Sequence, residues 1–281
     1  MRRFNFLLAL ALSACAVIPT PGERRGQADA LAGARGWIAQ TLPAGPFDLL
    51  AYRPATPVPA EVLTIYVEGD GLAWLSRTQV SPDPTPIDPL ALRLALAQPR
   101  GNAAYLARPC QYLARRAGAC DRRDWTSMRF APAVIDSTNR AIDRLKQDFG
   151  ARQLVLVGYS GGGAVAALVA VRRHDVAALV TVAGNLDHRA WTRWHHVPAL
   201  SGSLDPADEV DALAHVRQWH FAGEKDRIVP PTLIRGFVDR FPAAARPAYA
   251  VEPGVDHHDG WVASWPRLWR RVMQAEAVTP E

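Results

Sequence analysis

Cysteine is scarce in this sequence, occurring only at positions 15, 110 and 120. None stands in a C-x-x-C pair or within a histidine pattern, which excludes the usual zinc frameworks. His195 and His196 are adjacent and lack a paired ligand motif, so no metal is expected. The glycine-rich "GYSGGG" at residues 158–163 is not followed by Gly-Lys-Ser/Thr, which excludes a phosphate loop of the nucleotide-binding kind. Basic residues such as Arg122, Arg123, Arg172 and Arg173 are scattered without interleaved aromatics, so nucleic acid is not an expected partner. Internal repeats are absent. The apolar run at residues 6–12 falls well short of the ~20 residues that a spanning helix needs.

What remains is a globular composition. The 281 residues are 49% hydrophobic and 21% charged, enough to bury the core of one large α/β domain. The N-terminus, "MRRFNFLLALALSACAVIP", has Arg2 and Arg3 before the apolar run and reads as an export signal. Its end, "LSAC" at residues 12–15, resembles the lipobox of bacterial lipoproteins. That resemblance implies cleavage before Cys15, acylation of its thiol, and an exported chain held at a lipid bilayer. Residues 1–14 would be the signal peptide, residues 15–40 a lipidated tether and N-terminal segment, and residues 41–281 the folded domain. Loss of Arg2 and Arg3 would lower the formal net charge of +5 by two units, leaving it mildly positive. In an exported protein, Cys110 and Cys120 read most simply as a disulfide closing a short loop.

Along the chain, residues 19–36 are polar and rich in small residues, and a short helix is expected near residues 31–40. Apolar, β-branched stretches at residues 47–54, 61–71, 103–109, 154–157 and 175–184 read as strands, and those at 216–226 and 243–261 as strands that end in loops. Helical spacing marks residues 132–150, where Val134, Ile135, Ile142, Leu145 and Phe149 recur on one face. Strands alternating with helices, and reading as continuous apolar runs, describe a mostly parallel central sheet with helices on both faces. Ligands in such sheets bind at the carboxyl ends of the strands, where reactive residues should therefore be sought.

"GYSGG" at residues 158–162 satisfies G-x-S-x-G and stands between the apolar strand "LVLV" and the helix-forming "AVAALVAV". A nucleophile elbow needs this setting, with glycines where strand and helix approach closely and Ser160 on a sharp turn. A serine hydroxyl also needs a general base within hydrogen-bond reach, and histidine suits that task near neutral pH. Asp226 lies beyond one later strand in "HFAGEKDRIVP", and His257 and His258 lie beyond the last in "EPGVDHHDGW".

Together these segments resemble the α/β-hydrolase family over nearly everything from residue 47 onward. The family's acid loop commonly reads G-x-x-D, an apolar residue and a proline, which selects Asp226 counted from Gly223; its histidine loop, G-x-x-H, selects His257 counted from Gly254. His258 and Asp187 are the alternative base and acid, Asp187 because some members carry the acid after the strand following the elbow. The resemblance further implies an oxyanion hole made by the backbone N–H groups of Gly161 and of Asp70 in "VEGDG". Here the chain departs from the family, with Glu68 where histidine often precedes the glycine. Trp191 and Trp194, in the irregular stretch at residues 185–205, would form either a pocket wall or packing against the sheet edge. The function expected is a serine hydrolase that cleaves a small-molecule ester with no cofactor. An amide or peptide hydrolase with the same residues, or a binding lipoprotein that keeps only the fold, are the alternatives.

Overall fold

A computed structural model describes residues 18–113 and 120–276. Eight strands form one sheet: β1 (Trp37–Pro43), β2 (Asp48–Pro54), β3 (Val62–Val67), β4 (Asn102–Leu106), β5 (Gln153–Tyr159), β6 (Val176–Val182), β7 (Gln218–Gly223) and β8 (Ala248–Glu252). They lie in the order β1-β2-β4-β3-β5-β6-β7-β8. Only the β1–β2 and β2–β4 pairs are antiparallel, so the six strands from β4 to β8 all point one way. The helices are α1 (Pro21–Gly33), α2 (Leu90–Leu96), α3 (Pro132–Asp148), α4 (Gly161–Ala170), α5 (His188–His195), the single turn α6 (Val210–Leu213), α7 (Pro231–Val238) and α8 (Trp261–Glu276).

Strand periodicity divides the interior into two cores. Leu63, Ile65 and Val67 of β3, with Leu154 and Leu156 of β5, face one side and pack under α3, α4 and α7. Tyr66 of β3, with Val155 and Val157 of β5, faces the other and meets α1, α2 and α8. A strand buried on both faces cannot alternate apolar with polar, which is why "LVLV" reads as an unbroken run. All ten residues of α4 are buried, as expected of a helix that is apolar all round.

Residues 19–36, expected as a polar tether, fold differently. Thr20 caps α1 in a reciprocal capping box with Glu23, Pro21 takes the first helical position, and Ala28 and Ala32 are buried. The helix expected near residues 31–40 is instead the end of α1 followed by strand β1, whose register with β2 runs from Trp37 opposite Pro54 to Pro43 opposite Asp48. Tertiary pairing overrides local propensity there. The folded body thus takes in α1 and β1, and does not begin at residue 41. Cys15 and the signal lie outside the described residues.

Cys110 and Cys120 are joined as a disulfide, with Cα atoms 5.9 Å apart. By the loop-entropy argument, removing it as Cys110→Ser with Cys120→Ser should cost roughly 2–3 kcal/mol. Denaturant unfolding of the double variant against the oxidised parent checks this, and an unchanged midpoint would show the bond to be without weight in stability.

Candidate active site

Strand β5 ends at Tyr159 and α4 starts at Gly161, so Ser160 alone makes the turn. It does so at φ 51° and ψ −122°, a left-handed conformation that costs a side-chain-bearing residue on the order of 1–3 kcal/mol. The turn exists because side chains are missing around it. A Cβ on Gly158 would meet the carbonyl oxygen of Gly162, and a Cβ on Gly162 would meet the carbonyl oxygens of Val67 and Glu68. The elbow therefore rests directly on the end of β3. The Gly161 N–H opens α4, where no carbonyl of a preceding turn can accept it.

Two loops reach the serine from the carboxyl ends of β7 and β8. His257 Nε2 lies 3.0 Å from Ser160 Oγ, and His257 Nδ1 lies 2.8 Å from Asp226 Oδ2. An ionised carboxylate can only accept, so Nδ1 carries the proton and Nε2 is left as the acceptor for the hydroxyl. Asp226 is held by its other oxygen, which accepts the N–H groups of Ile228 and Val229, both at 2.8 Å. Asp226 and His257 are each at least 95% buried, and the Tyr159 ring lies 5.3 Å from the imidazole. A hydroxyl, an imidazole and a carboxylate so linked can pass a proton from oxygen to nitrogen and back.

The alternatives lie elsewhere. His258 faces Tyr159, whose O–H donates to the His257 carbonyl and whose oxygen stands 3.0 Å from His258 Nδ1. Burial, then the neighbouring His257, lowers the His258 pKa. Asp187 caps α5 by accepting the Ala190 N–H at 2.7 Å and pairs with Arg240. The irregular stretch expected at residues 185–205 contains α5, and Trp191 Nε1 donates to the Ile228 carbonyl at 2.7 Å, with His195 Nε2 2.8 Å from the same oxygen. Trp191 thus packs on the acid loop, while Trp194 is exposed.

The loop after β3 carries Glu68, Gly69, Asp70 and Gly71. A Cβ on Gly69 would sit 3.3 Å from Ser160 Cβ, and one on Gly161 would meet the Asp70 carboxylate. Sequence reasoning placed Asp70 here for its backbone N–H and missed what its side chain does. Arg108 Nη1 lies 3.2 Å from Asp70 Oδ1, and Arg129 Nη1 lies 2.5 Å from Oδ2. Burial pushes the Asp70 carboxyl up, but Arg129 and then Arg108 outweigh it and leave its pKa below the usual value. Glu68 is treated oppositely. Its Oε1 accepts the N–H groups of Gly69 (2.9 Å) and Ala91 (3.4 Å), but burial dominates and pushes its pKa up to about 7. No grouping of three or more His, Cys, Asp or Glu side chains able to hold a metal occurs among the described residues.

No protein-family model matches the chain, and no curated protein matches it in sequence. Solved structures share its architecture. Est1E from Butyrivibrio proteoclasticus superposes with a TM-score of 0.58 at 15% identity, covering 86% of this chain and 99% of its own, and a second Est1E structure holds ferulic acid. XC6422 from Xanthomonas campestris, described as an α/β serine hydrolase without lid, gives 0.54 at 17% identity over 87% and 97%. Proline iminopeptidase from Mycobacterium smegmatis gives 0.56 at 14% over 85% and 100%. The chain has the α/β-hydrolase fold.

Because the Glu68 pKa is raised above the free value of 4.5, protonation of this buried carboxyl favours the fold. The stabilisation is complete below pH ~4.5 and is lost as pH rises through about 7. Glu68→Gln should therefore flatten the fall of the melting temperature between pH 4.5 and 7.5. Parallel melting curves for parent and variant check this, and an equal slope in both would remove Glu68 from the pH response.

Proposed function

We propose that the chain is an exported, membrane-anchored serine hydrolase that cleaves a carboxylic ester through an acyl-enzyme. The observation that carries this reading is the hydrogen-bonded series Ser160–His257–Asp226, closed across 97 and 31 positions of sequence onto a serine held at φ 51°. In this reading Ser160 Oγ attacks the acyl carbon while His257 Nε2 takes its proton. Asp226 stabilises the imidazolium through Nδ1–H. Collapse of the tetrahedral intermediate breaks the ester bond, and His257 returns the proton to the leaving alkoxide as alcohol. Water then attacks the acyl-enzyme by the same relay, releasing acid and restoring the serine. The N–H groups of Gly161 and Asp70 would receive the oxyanion.

Proteins sharing the fold support acyl chemistry without choosing its bond, since they include an iminopeptidase as well as an Est1E that holds ferulic acid. The segment between β6 and β7 holds only short helical pieces, with α5 beside the Asp226 loop, so the site suits small or medium acyl substrates over long-chain lipids. An ester is taken over an amide because its alkoxide leaves more readily under the same proton relay. The anchoring rests on the sequence resemblance at residues 12–15. Pro21 follows Cys15 by six positions, and Arg24 of α1 donates to the Thr85 carbonyl in the loop that also packs on Gly71. A chain spans at most about 3.5 Å per residue, so a lipid on Cys15 would hold the start of α1 within about 20 Å of the bilayer.

A fluorophosphonate should label the parent and spare Ser160→Ala, whose turnover of p-nitrophenyl esters should fall at least about a thousandfold; equal labelling would take Ser160 out of the chemistry. Matching anilides serve as the amide arm, and faster anilide than ester turnover would reverse the choice of bond. Cys15→Ser should move the expressed protein from the membrane pellet to the soluble fraction, and unchanged pelleting would refute the anchor.

A further inference from the structure

The polar clusters outside the serine's hydrogen-bonded series differ in what they can do. Thr181 and His220 bond to each other beneath α7, where burial lowers the His220 pKa to about 3 and leaves a neutral, enclosed ring. Arg173 and Lys146 gather on Asp175 at the surface, remote from the strand ends that carry Ser160. The cluster of Asp70, Arg108 and Arg129 is different, because its carboxylate lies against Gly161, the residue after the serine.

A carboxylate there raises a problem of sign. If the acyl oxygen turns negative beside Gly161 and Asp70, a bare Asp70 side chain would oppose it. The two guanidiniums reverse the sign, since two positive charges on one negative leave a surplus of one positive. Each takes a separate carboxylate oxygen. They are also fixed independently of Asp70: Arg129 Nε donates to the Thr126 carbonyl at 2.7 Å, and Arg108 Nη2 donates to the Arg129 carbonyl. Arg108 lies over the Phe130 ring, 5.5 Å from its centroid. Their side chains are 5% and 6% exposed against 18% for Asp70, so a substrate would meet the aspartate and not the arginines. A neighbour on the same segment fastens the loop itself: Gln111 donates to the Gly69 carbonyl at 3.0 Å and accepts the Arg108 N–H. Glu68 also faces Arg108, and burial favours its uncharged form.

We propose that Arg108 and Arg129 are positioning residues of the hydrolytic site, clamping Asp70 so that its N–H is fixed toward the oxyanion and its carboxylate's charge is reversed. This rests on the reading of Ser160 as nucleophile. Both arginines act through Asp70 and touch no reacting atom. Their contribution is realised as charge develops on the acyl oxygen, so it should appear in kcat more than in KM.

The test uses the full chain and p-nitrophenyl ester turnover, with active sites counted by fluorophosphonate carried to completion, so that unfolded protein does not enter the rate. Arg129→Gln should lower kcat per titrated site about 10–100-fold with KM changed less than about threefold, a smaller loss than deleting a direct oxyanion donor. Arg129→Lys, which keeps the charge, should recover most of the rate. Asp70→Asn combined with Arg129→Gln should be faster than Arg129→Gln alone, because the opposing carboxylate charge has gone; a purely structural clamp predicts no such recovery. Arg108→Gln and Arg108→Lys make the same comparison and decide the matter if glutamine at 129 yields no folded protein. Gln variants with kcat per titrated site within twofold of the parent, or a double variant no faster than the single, overturn the proposal. Ser160→Ala separates the two readings: if it retains turnover, the nucleophile is wrong whatever the arginines do, and if it is inactive while the arginine variants are normal, only the clamp falls.

Discussion

The contact on which the rest of the molecule depends is backbone against backbone. Gly158, Gly162 and the carbonyls of Val67 and Glu68 come so close that no side chain fits between them. That approach fixes the distance between β5 and the start of α4, and it forces the intervening residue into a left-handed conformation. Ser160 is the residue that bears the strain. Burying all ten residues of α4 between the sheet and α3 offsets it many times over, since each fully buried Val or Leu side chain contributes about 1.5–3 kcal/mol. The serine is exposed to strain because its neighbours are buried so completely, and its hydroxyl is thereby presented at the end of the sheet.

The parallel sheet does the remaining assembly. β3, β5, β7 and β8 all end on the same side, so the loops following them meet although they are far apart in sequence. Asp226 arrives already fixed, because the N–H groups of Ile228 and Val229 hold one of its oxygens and leave the other for the imidazole. α5 fastens the same loop from outside through Trp191 and His195, both directed at the Ile228 carbonyl. An aromatic expected as pocket wall or edge packing thus secures the acid loop's backbone.

The order of strands from β2 onward, and of the helices that follow it other than α5 and α6, was legible in the sequence, because buried parallel strands must be apolar throughout and an elbow must have glycine at fixed offsets from its serine. These are local requirements, written in local residues. The N-terminal helix was not legible. Gly22 and Gly26 lower its propensity, and the Thr20–Glu23 capping box that starts it was overlooked beside the polar composition around it. β1 owes its existence to β2, a partner that a single segment does not reveal. The two histidines at 257 and 258 are chemically identical and adjacent, so only the turn's backbone decides which ring faces Ser160 and which faces Tyr159. Arg108 and Arg129 were missed for a similar reason. Their partner lies 38 and 59 positions away, and nothing in their own segments marks them as the buried members of a chain with many arginines.

The loop after β3 shows how two carboxyl groups two positions apart can be given opposite states by their surroundings. Glu68 is buried with two backbone N–H groups on its Oε1, and burial is the larger effect, so below pH ~7 its neutral form prevails. Asp70 is more open, with 18% of its side chain exposed, and has two guanidiniums, which hold its pKa below the usual value. Were Glu68 ionised as well, the four groups would sum to zero, and the loop beside Ser160 would lose its surplus of positive charge. Burial of Glu68 and pairing of Asp70 therefore act together on one quantity, the sign of the field beside Gly161. A histidine at position 68 would reach that sign by a different route, carrying no negative charge to be suppressed. Glu68, where a histidine was expected, is thus physically consistent with the presence of Arg108 and Arg129, since a loop that carries two carboxyl groups beside Ser160 keeps a positive surplus only where one is neutral and the other overcompensated.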